Sequence, residues 1–335
     1  MRQLDIFNGD FRLKLQVVRK KLGARSADMA LADIVLTHVI EHFAEVGASE
    51  HIVFKGGSML RRIHVGQDFR FSGDLDYSLN KTSLVDVDGT ISTLIAKISG
   101  TAHGLSFHVP EDGIRVPSHG NTHIVTVECK LPDGRTTAVK VEIDHRAEPI
   151  LEPVSLTPKS TFTTDTQREP SPLSCLALEE VLGEKVRASY QRIRIRDLYD
   201  LNALRNHAFD EEVVRKIAVL KLWEAPLHND PFTGNGFLRL LEKRAMMKEY
   251  ESDKAELMPF LPEKEKLAVP EIVASVVNRF SFLGNMTVLE RRVASDLKRS
   301  NIADYEGLKA EVQERMLNIN YSYGRSGMGP LGGLS

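Results

Sequence analysis

Two short polar signatures, one element apart, constrain how this chain can fold. The β-type run His51-Ile-Val-Phe54 breaks into Lys55-Gly56-Gly57-Ser58, and Arg70-Phe-Ser-Gly-Asp-Leu-Asp-Tyr77 follows after a spacer. A strand that ends in a glycine pair and resumes as Ser58-Met-Leu-Arg predicts strand, tight turn, helix. Ser58 is placed to cap a helix running to about Val65. Leu75 to Leu79 reads as a strand. On it Asp74 and Asp76 share one face, about 6–7 Å apart, and Leu75 takes the other.

The elements around this pair are mixed. Met29, Ile34, Val35, Val39, Ile40 and Phe43 recur at helical spacing, which predicts an amphipathic helix over 27–47. Residues 88–103 read as helix again. Three β-rich segments follow at 105–109, 122–130 and 135–144, the last two flanking the hairpin turn Leu-Pro-Asp-Gly. Between 149 and 174 the chain is rich in Pro, Ser and Thr, as a linker or extended crossing segment would be. Beyond it, 175–206, 210–223, 235–250, 270–297 and 304–318 read as helices. The expected class is α+β: a domain with a small mixed sheet over 1–160, a mainly α-helical domain over 161–322, and a Gly-rich, disordered tail over 323–335. At 335 residues the chain has room for two ordinary domains.

The chemistry of the signatures is specific in combination. A glycine pair lets backbone approach a ligand, and a helix start offers free N–H groups to an anion such as phosphate. Two carboxylates on one strand face can share divalent ions, which two-metal phosphoryl chemistry holds about 3.5–4 Å apart. Oxygen ligands suit Mg²⁺, with Mn²⁺ as the alternative. Taken singly, a Gly-Gly pair is most simply a tight turn, and an Asp pair a solvated edge. A third carboxylate comes from Val139-Lys-Val-Glu-Ile-Asp144, where Lys140, Glu142 and Asp144 share the face opposite the apolar residues. Glu142 is preferred, because it sits between two apolar residues as Asp76 does. Asp144 is the second choice.

A second block lies at 176–201. Leu178, Leu182, Lys185 and Ser189 fall on one helical stripe, so Lys185 interrupts an apolar face. A lysine there needs an anion, either a triphosphate or a structural carboxylate. Asp197 shares a face with Leu201 and Leu204. It can orient Lys185 or an arginine, assist an acceptor hydroxyl, or serve a structural ion pair. Asp200 reads as a local cap or pair. Lys185, Arg187, Arg192, Arg194 and Arg196 form the densest basic run. Such a run can hold an RNA backbone in a salt-sensitive way. Only Tyr190 and Tyr199 interleave it, too few for base stacking.

Net charge is −2, so any polyanion must meet a local patch rather than the whole surface. The two cysteines, Cys129 and Cys175, have no metal-like spacing and are expected as reduced thiols in the cytoplasm. No apolar run suits a signal peptide or a membrane span. His103, His108, His119, His123 and His145 lack metal-binding spacing and are expected on surfaces or loops.

The strings Phe54-Lys-Gly-Gly-Ser-Met-Leu-Arg61 and Arg70-Phe-Ser-Gly-Asp-Leu-Asp-Tyr77, with Glu184-Lys185 and Arg196-Asp-Leu-Tyr-Asp-Leu201, resemble the AbiEii nucleotidyltransferase toxins. That family lies within the DNA polymerase β-like nucleotidyltransferase superfamily. The likeness is good over 51–80 and 175–205, weak over 105–145 and slight over 207–335. Gly73 stands where the family commonly has an acidic residue, a position outside the metal-binding pair.

The resemblance implies an NTP-dependent transferase with Asp74, Asp76, Glu142, Lys185 and Asp197 as its catalytic set. Asp74, Asp76 and Glu142 or Asp144 would hold Mg²⁺. Gly57 and Ser58 would cradle the triphosphate, and Lys185 would neutralise it beside Arg192 and Arg196. NMP would pass to an acceptor hydroxyl, a tRNA 3′ end or other RNA, with release of pyrophosphate. The alternatives are nucleotidylation of a protein or of the enzyme itself, and a non-catalytic NTP- or partner-binding module. A cognate antitoxin, a role in phage defence and a cytoplasmic location are further implications.

Overall fold

Asp74, Leu75, Asp76 and Tyr77 alternate between the two faces of a long mixed sheet, which organises the first part of the chain. The structure, a computed structural model, describes residues 11–81, 84, 86–102, 104–118, 120–159, 170–225 and 230–325. The chain divides into two compact units. One comprises Met1–Pro149, Pro153–Leu176 and Lys254–Leu267; the other comprises Ile150–Glu152, Ala177–Asp253 and Ala268–Ser335. The division is therefore not a single cut at 160, because 254–267 returns to the first unit.

The first unit opens with α1 (Phe11–Leu22) and α2 (Ala27–Glu45), the latter capped by Ser26, whose side chain accepts from the Met29 N–H. Helix α2 is buried almost all round, which marks an interior helix rather than a surface one. Then come β1 (Ile52–Lys55), α3 (Gly56–Met59), β2 (Asp74–Leu79), α4 (Val87–Ile98), β3 (Gly100–Ala102), β4 (Leu105–His108), β5 (Ile114–Arg115), β6 (Thr122–Lys130), β7 (Thr136–Asp144), β8 (Val154–Leu156) and β9 (Leu173–Cys175). Helix α3 widens into a π-helical turn over Leu60–Val65 that ends at Gly66.

The strands join in the order β3-β4-β6-β7-β2-β1-β9-β8, with β5 on β6, nine strands among the described residues and more than the small sheet expected. Pairs β2/β7 and β1/β9 are parallel and the rest antiparallel. Leu75, Tyr77 and Leu79 of β2 and Val139, Val141 and Ile143 of β7 point into one core. Phe43 of α2 packs on Tyr77 with ring centroids 5.9 Å apart.

The second unit is helical: α5 (Leu178–Gln191), α6 (Ile195–Ala203), α7 (Glu211–Glu224), α8 (Gly234–Met246), the start of α9 (Glu251–Leu257), α10 (Val269–Arg279), α11 (Val288–Ser295) and α12 (Ile302–Arg325). A Cβ on Gly183 would lie 2.5 Å from Ile217 Cγ2, so this glycine is what lets α5 and α7 pack closely. Lys221 of α7 is buried with its ammonium 2.7 Å from Glu180. Arg315 and Lys216 tie α12 to α7 through Asp210 and Glu311, each at 2.8 Å.

Several sequence expectations need correction. The helix expected over 88–103 stops at Ile98, because Gly100 adopts φ +155° and the chain turns into β3. The presumed linker contains β8 and β9; Leu173-Ser-Cys175 is a short buried strand that the flanking prolines obscured. The helix expected over 175–206 breaks at Arg192–Arg194, and the Asp253 carboxylate accepts from the freed Ile195 N–H at 2.6 Å. The helix expected over 270–297 divides before a capping box of Thr287 and Glu290. Helices α1 and α9 carried no expectation. Helix α12 continues to Arg325, so 323–325 is helical; 326–335 lies outside the described residues. Among the described residues no helix is long and apolar enough to cross a membrane.

Candidate active site

The register of two parallel strands brings the carboxylates together. Asp74 pairs with Lys140, Asp76 with Glu142 and Ser78 with Asp144 across β2 and β7. All six lie on the face opposite Leu75, Tyr77, Val141 and Ile143; Ser78 is buried there, and the other five are at least partly exposed. On the other side of β2, Lys55 is in register with Asp76.

Two glycines bring the helix start against this row. Gly56 adopts φ +75°, and a Cβ there would lie 2.0 Å from Asp76 Oδ2. A Cβ on Gly57 would lie 2.3 Å from Arg70 Nη2. At Gly56 the clash includes the Asp76 Cβ at 2.7 Å on a left-handed backbone, so only hydrogen fits; at Gly57 a Cβ would displace the Arg70 guanidinium. The Arg70 guanidinium is nearly buried and donates to the Phe71 carbonyl at 3.2 Å.

Ser58 corrects its sequence expectation. The helix starts at Gly56 with Lys55 at the N-cap position, so Ser58 lies inside it. Its hydroxyl is buried and donates to the Asp74 carbonyl at 2.6 Å, bolting the helix to β2. Ser72 donates to Asp74 Oδ1 at 2.9 Å and orients that carboxylate.

Glu142 and Asp144 differ in how they are engaged. Asp144 accepts from Lys55 Nζ at 3.3 Å and from the Arg146 N–H at 3.0 Å. Burial pushes its pKa up, but Lys55 and Arg146 outweigh this and hold it below the ordinary carboxylate value. Glu142 instead accepts from Lys140 Nζ at 2.6 Å, and the same amine lies 3.7 Å from Asp74 Oδ2. Desolvation lowers the Lys140 pKa, yet Glu142, Asp74 and Asp76 together raise it above its ordinary value, so this amine is a firm cation.

The second unit holds a cluster of its own. Lys185 Nζ lies 2.7 Å from Asp200 and 3.4 Å from Asp197, both carboxylates fully buried. Arg192 forks onto Asp197 with Nε at 2.8 Å and Nη2 at 3.1 Å. Burial would raise the Asp197 pKa; Lys185, Arg192 and Arg196 reverse this and hold it at about 2. Asp200 is thus not a local cap but the closer partner of Lys185. Arg196 is exposed, and Arg194 reaches Asp253.

Of the histidines, His108 is exposed, whereas His123 is buried, with Nδ1 3.2 Å from His145 Nε2. His103 and His119 lie outside the described residues. Sequence reasoning gave no role to Lys140, Lys55 or Arg70. The only signal was alternation on β7, which put Lys140 on the carboxylate face.

A sheet that presents alternating aspartates beside an in-register glutamate, under a glycine-opened helix, is the framework of a nucleotidyltransferase. A family model described as nucleotidyl transferase AbiEii toxin, type IV toxin–antitoxin system, matches residues 38–275, and the chain belongs to that family. It is accordingly a nucleotidyltransferase toxin. Among solved structures it is similar to MenT4, a nucleotidyltransferase toxin from Mycobacterium tuberculosis, with TM-score 0.69 and 23% identity over 89% of this chain and 99% of that one. It also matches JHP933 from Helicobacter pylori, at TM-score 0.47 and 16% identity over 78% and 93% of the two chains. No curated protein matches the sequence.

The family implies a divalent metal. Among the described residues no three His, Cys, Asp or Glu side chains converge as they stand into a metal-holding group. The donors nevertheless fit one. Asp74, Asp76 and Glu142 offer only oxygen, Gly56 lets the Asp76 carboxylate lie directly against the backbone, and the Lys140 amine already stands beside Asp74 and Glu142 as a cation. Gly56→Ala tests the close approach. A Cβ there must displace the Asp76 carboxylate and also strain the left-handed backbone, which costs about 1–2 kcal/mol. The expected result is a lowered melting temperature and at least about a hundredfold loss of transfer, read by thermal melts and a labelled-nucleotide assay.

Proposed function

We propose that this protein transfers NMP from an NTP to the 3′ hydroxyl of a tRNA, with Mg²⁺ held by Asp74, Asp76 and Glu142. The observation that carries the reading is the register of Asp76 with Glu142 beside Asp74, against a Gly56 whose Cβ would overlap the Asp76 carboxylate. Asp144 is not given to the metal, because Lys55 and the Arg146 N–H already engage it. Backbone N–H groups at Gly57 and Ser58 are assigned to the triphosphate, with the Arg70 guanidinium beside Gly57. When bound, the metal neutralises charge on the reacting phosphate. The chain's own contribution is to orient the carboxylates through Ser72, Ser58 and the strand register. Catalysis of this kind is chiefly positioning and charge stabilisation.

From the family resemblance the reading also gives Lys185, Arg192 and Arg196 a nucleotide-contact role, with Asp197 and Asp200 fixing the Lys185 ammonium. A cognate antitoxin, phage defence and a cytoplasmic setting belong to the same proposal.

The test incubates the protein with each labelled NTP, Mg²⁺ and total RNA. Label is expected in RNA of tRNA size at its 3′ end, with pyrophosphate released, and Lys185→Gln is expected to raise the nucleotide KM. Label on protein with unmodified RNA termini would replace the tRNA acceptor by a protein. No pyrophosphate release with any NTP and either acceptor would overturn transfer to these acceptors.

A further inference from the structure

Lys140 is the cation on the carboxylate face of β2 and β7, and the proposed reaction does not yet use it. It stands directly across from Asp74 in the register, and its amine joins Glu142 at 2.6 Å to Asp74 at 3.7 Å. Its side chain is about half exposed, at 44%, so it can leave without disturbing the core. Val139 and Val141, its neighbours on the strand, are buried and fix its point of attachment. The amine therefore sits where a divalent ion would draw the same two carboxylates. Two cations cannot share those oxygens at such distances without strong repulsion.

We propose that Lys140 is an exchange cation that couples metal loading to nucleotide arrival. This rests on the reading that Asp74, Asp76 and Glu142 hold the metal. Without nucleotide, Lys140 neutralises Asp74 and Glu142 and opposes the divalent ion. Once the ion is in place the displaced amine remains tethered on the same face. There it has one strong partner to gain, an oxygen of the nucleotide's phosphates. Nucleotide thus converts Lys140 from a competitor of the metal into a ligand of the substrate. By linkage, the metal must then tighten nucleotide binding by the same factor as nucleotide tightens the metal. Lys55 does not duplicate this device, because its ammonium is engaged with Asp144.

The experiment titrates the full chain with Mn²⁺ by electron paramagnetic resonance, with and without non-hydrolysable α,β-methylene analogues of the four NTPs. Lys140→Gln is expected to bind Mn²⁺ about tenfold more tightly than wild type without nucleotide, the scale for removing one charge beside a divalent ion at a half-exposed site. Its gain on adding the analogue is expected to be correspondingly smaller. Lys140→Arg keeps the charge and is expected to follow wild type. Lys97→Gln, which removes a surface charge paired with Glu50, controls for net charge and should leave both titrations unchanged. Equal Mn²⁺ affinities for wild type and Lys140→Gln would overturn the exchange, provided Asp76→Asn loses the ion. If Asp76→Asn binds Mn²⁺ as wild type does, the metal reading itself fails.

Discussion

Asp76→Asn is expected to reduce nucleotide transfer by at least about a thousandfold, about 4 kcal/mol of transition-state stabilisation, while leaving the fold intact. The size follows from the position of this carboxylate. It lies on the row with Glu142 and Lys55, flanked by Asp74 and pressed against Gly56. No neighbouring group can take its place, because the left-handed turn at Gly56 and the register of β7 fix what stands beside it. Asparagine keeps the shape but removes the charge that a divalent ion requires. Stability should change little, since relief of like-charge repulsion from Asp74 and Glu142 is set against the lost attraction to Lys140. Single-turnover transfer of labelled nucleotide and a thermal melt check both halves. Asp144→Asn is the informative comparison. Its carboxylate is spent on Lys55 and the Arg146 N–H, so its loss should cost transfer far less, within about tenfold. Transfer by Asp76→Asn within tenfold of wild type would sink the assignment, and equal losses at 76 and 144 would return the third ligand to the open choice between Glu142 and Asp144.

What the sequence showed of this site was set by distance along the chain. Asp74 and Asp76 were legible because a strand has a period of two residues and Leu75 declares the other face. The face shared by Lys140, Glu142 and Asp144 was legible for the same reason. The pairing of Asp76 with Glu142, and of Asp74 with Lys140, depends on a register between strands far apart in sequence, which no local pattern encodes. Ser58 misled because serine beside a glycine pair is a familiar cap, whereas here the helix begins earlier and the hydroxyl serves Asp74. In the second unit Lys185 on an apolar stripe correctly implied an anion. That the anion is Asp200 as much as Asp197 was hidden, because both aspartates recur near one helical turn and both are fully buried. The break at Arg192–Arg194 was invisible because its cap, Asp253, lies well beyond any local window. Arg61 and Arg62 carried no expectation beyond the helix on which they lie. Both are fully buried, and nothing near them in sequence says so.

Asp33→Ala is expected to cost about 3–5 kcal/mol, a large part of the total stability of an ordinary domain. Asp33 is the shared carboxylate of Arg61 and Arg62, at 3.2 Å from Arg61 Nε and 3.2 Å from Arg62 Nη2, all three side chains buried. Removing it leaves two guanidinium charges in the interior without the group that compensates them. The dependence on pH has a definite sign. Burial raises the Asp33 pKa, but Arg61 and Arg62 outweigh it and bring it below the ordinary value. Its contribution is then complete above the ordinary carboxylate range, about pH 4, and is lost as pH falls through the folded value. Urea midpoints measured from neutral to acid pH should fall more steeply for wild type than for the variant, and a parallel fall would contradict the assignment. The cluster also reaches the site. Arg61 donates to the carbonyls of Gln67 and Phe69 and stacks over Phe71 at 4.0 Å, which fixes the loop that sets Arg70 against Gly57. A triple variant with Asp33→Leu, Arg61→Met and Arg62→Met removes all three charges together and should recover most of the lost stability. It should not recover transfer, because the donors to Gln67 and Phe69 are gone and the Arg70 loop is left without its anchor. Recovery of both stability and transfer would show that the cluster serves the fold alone.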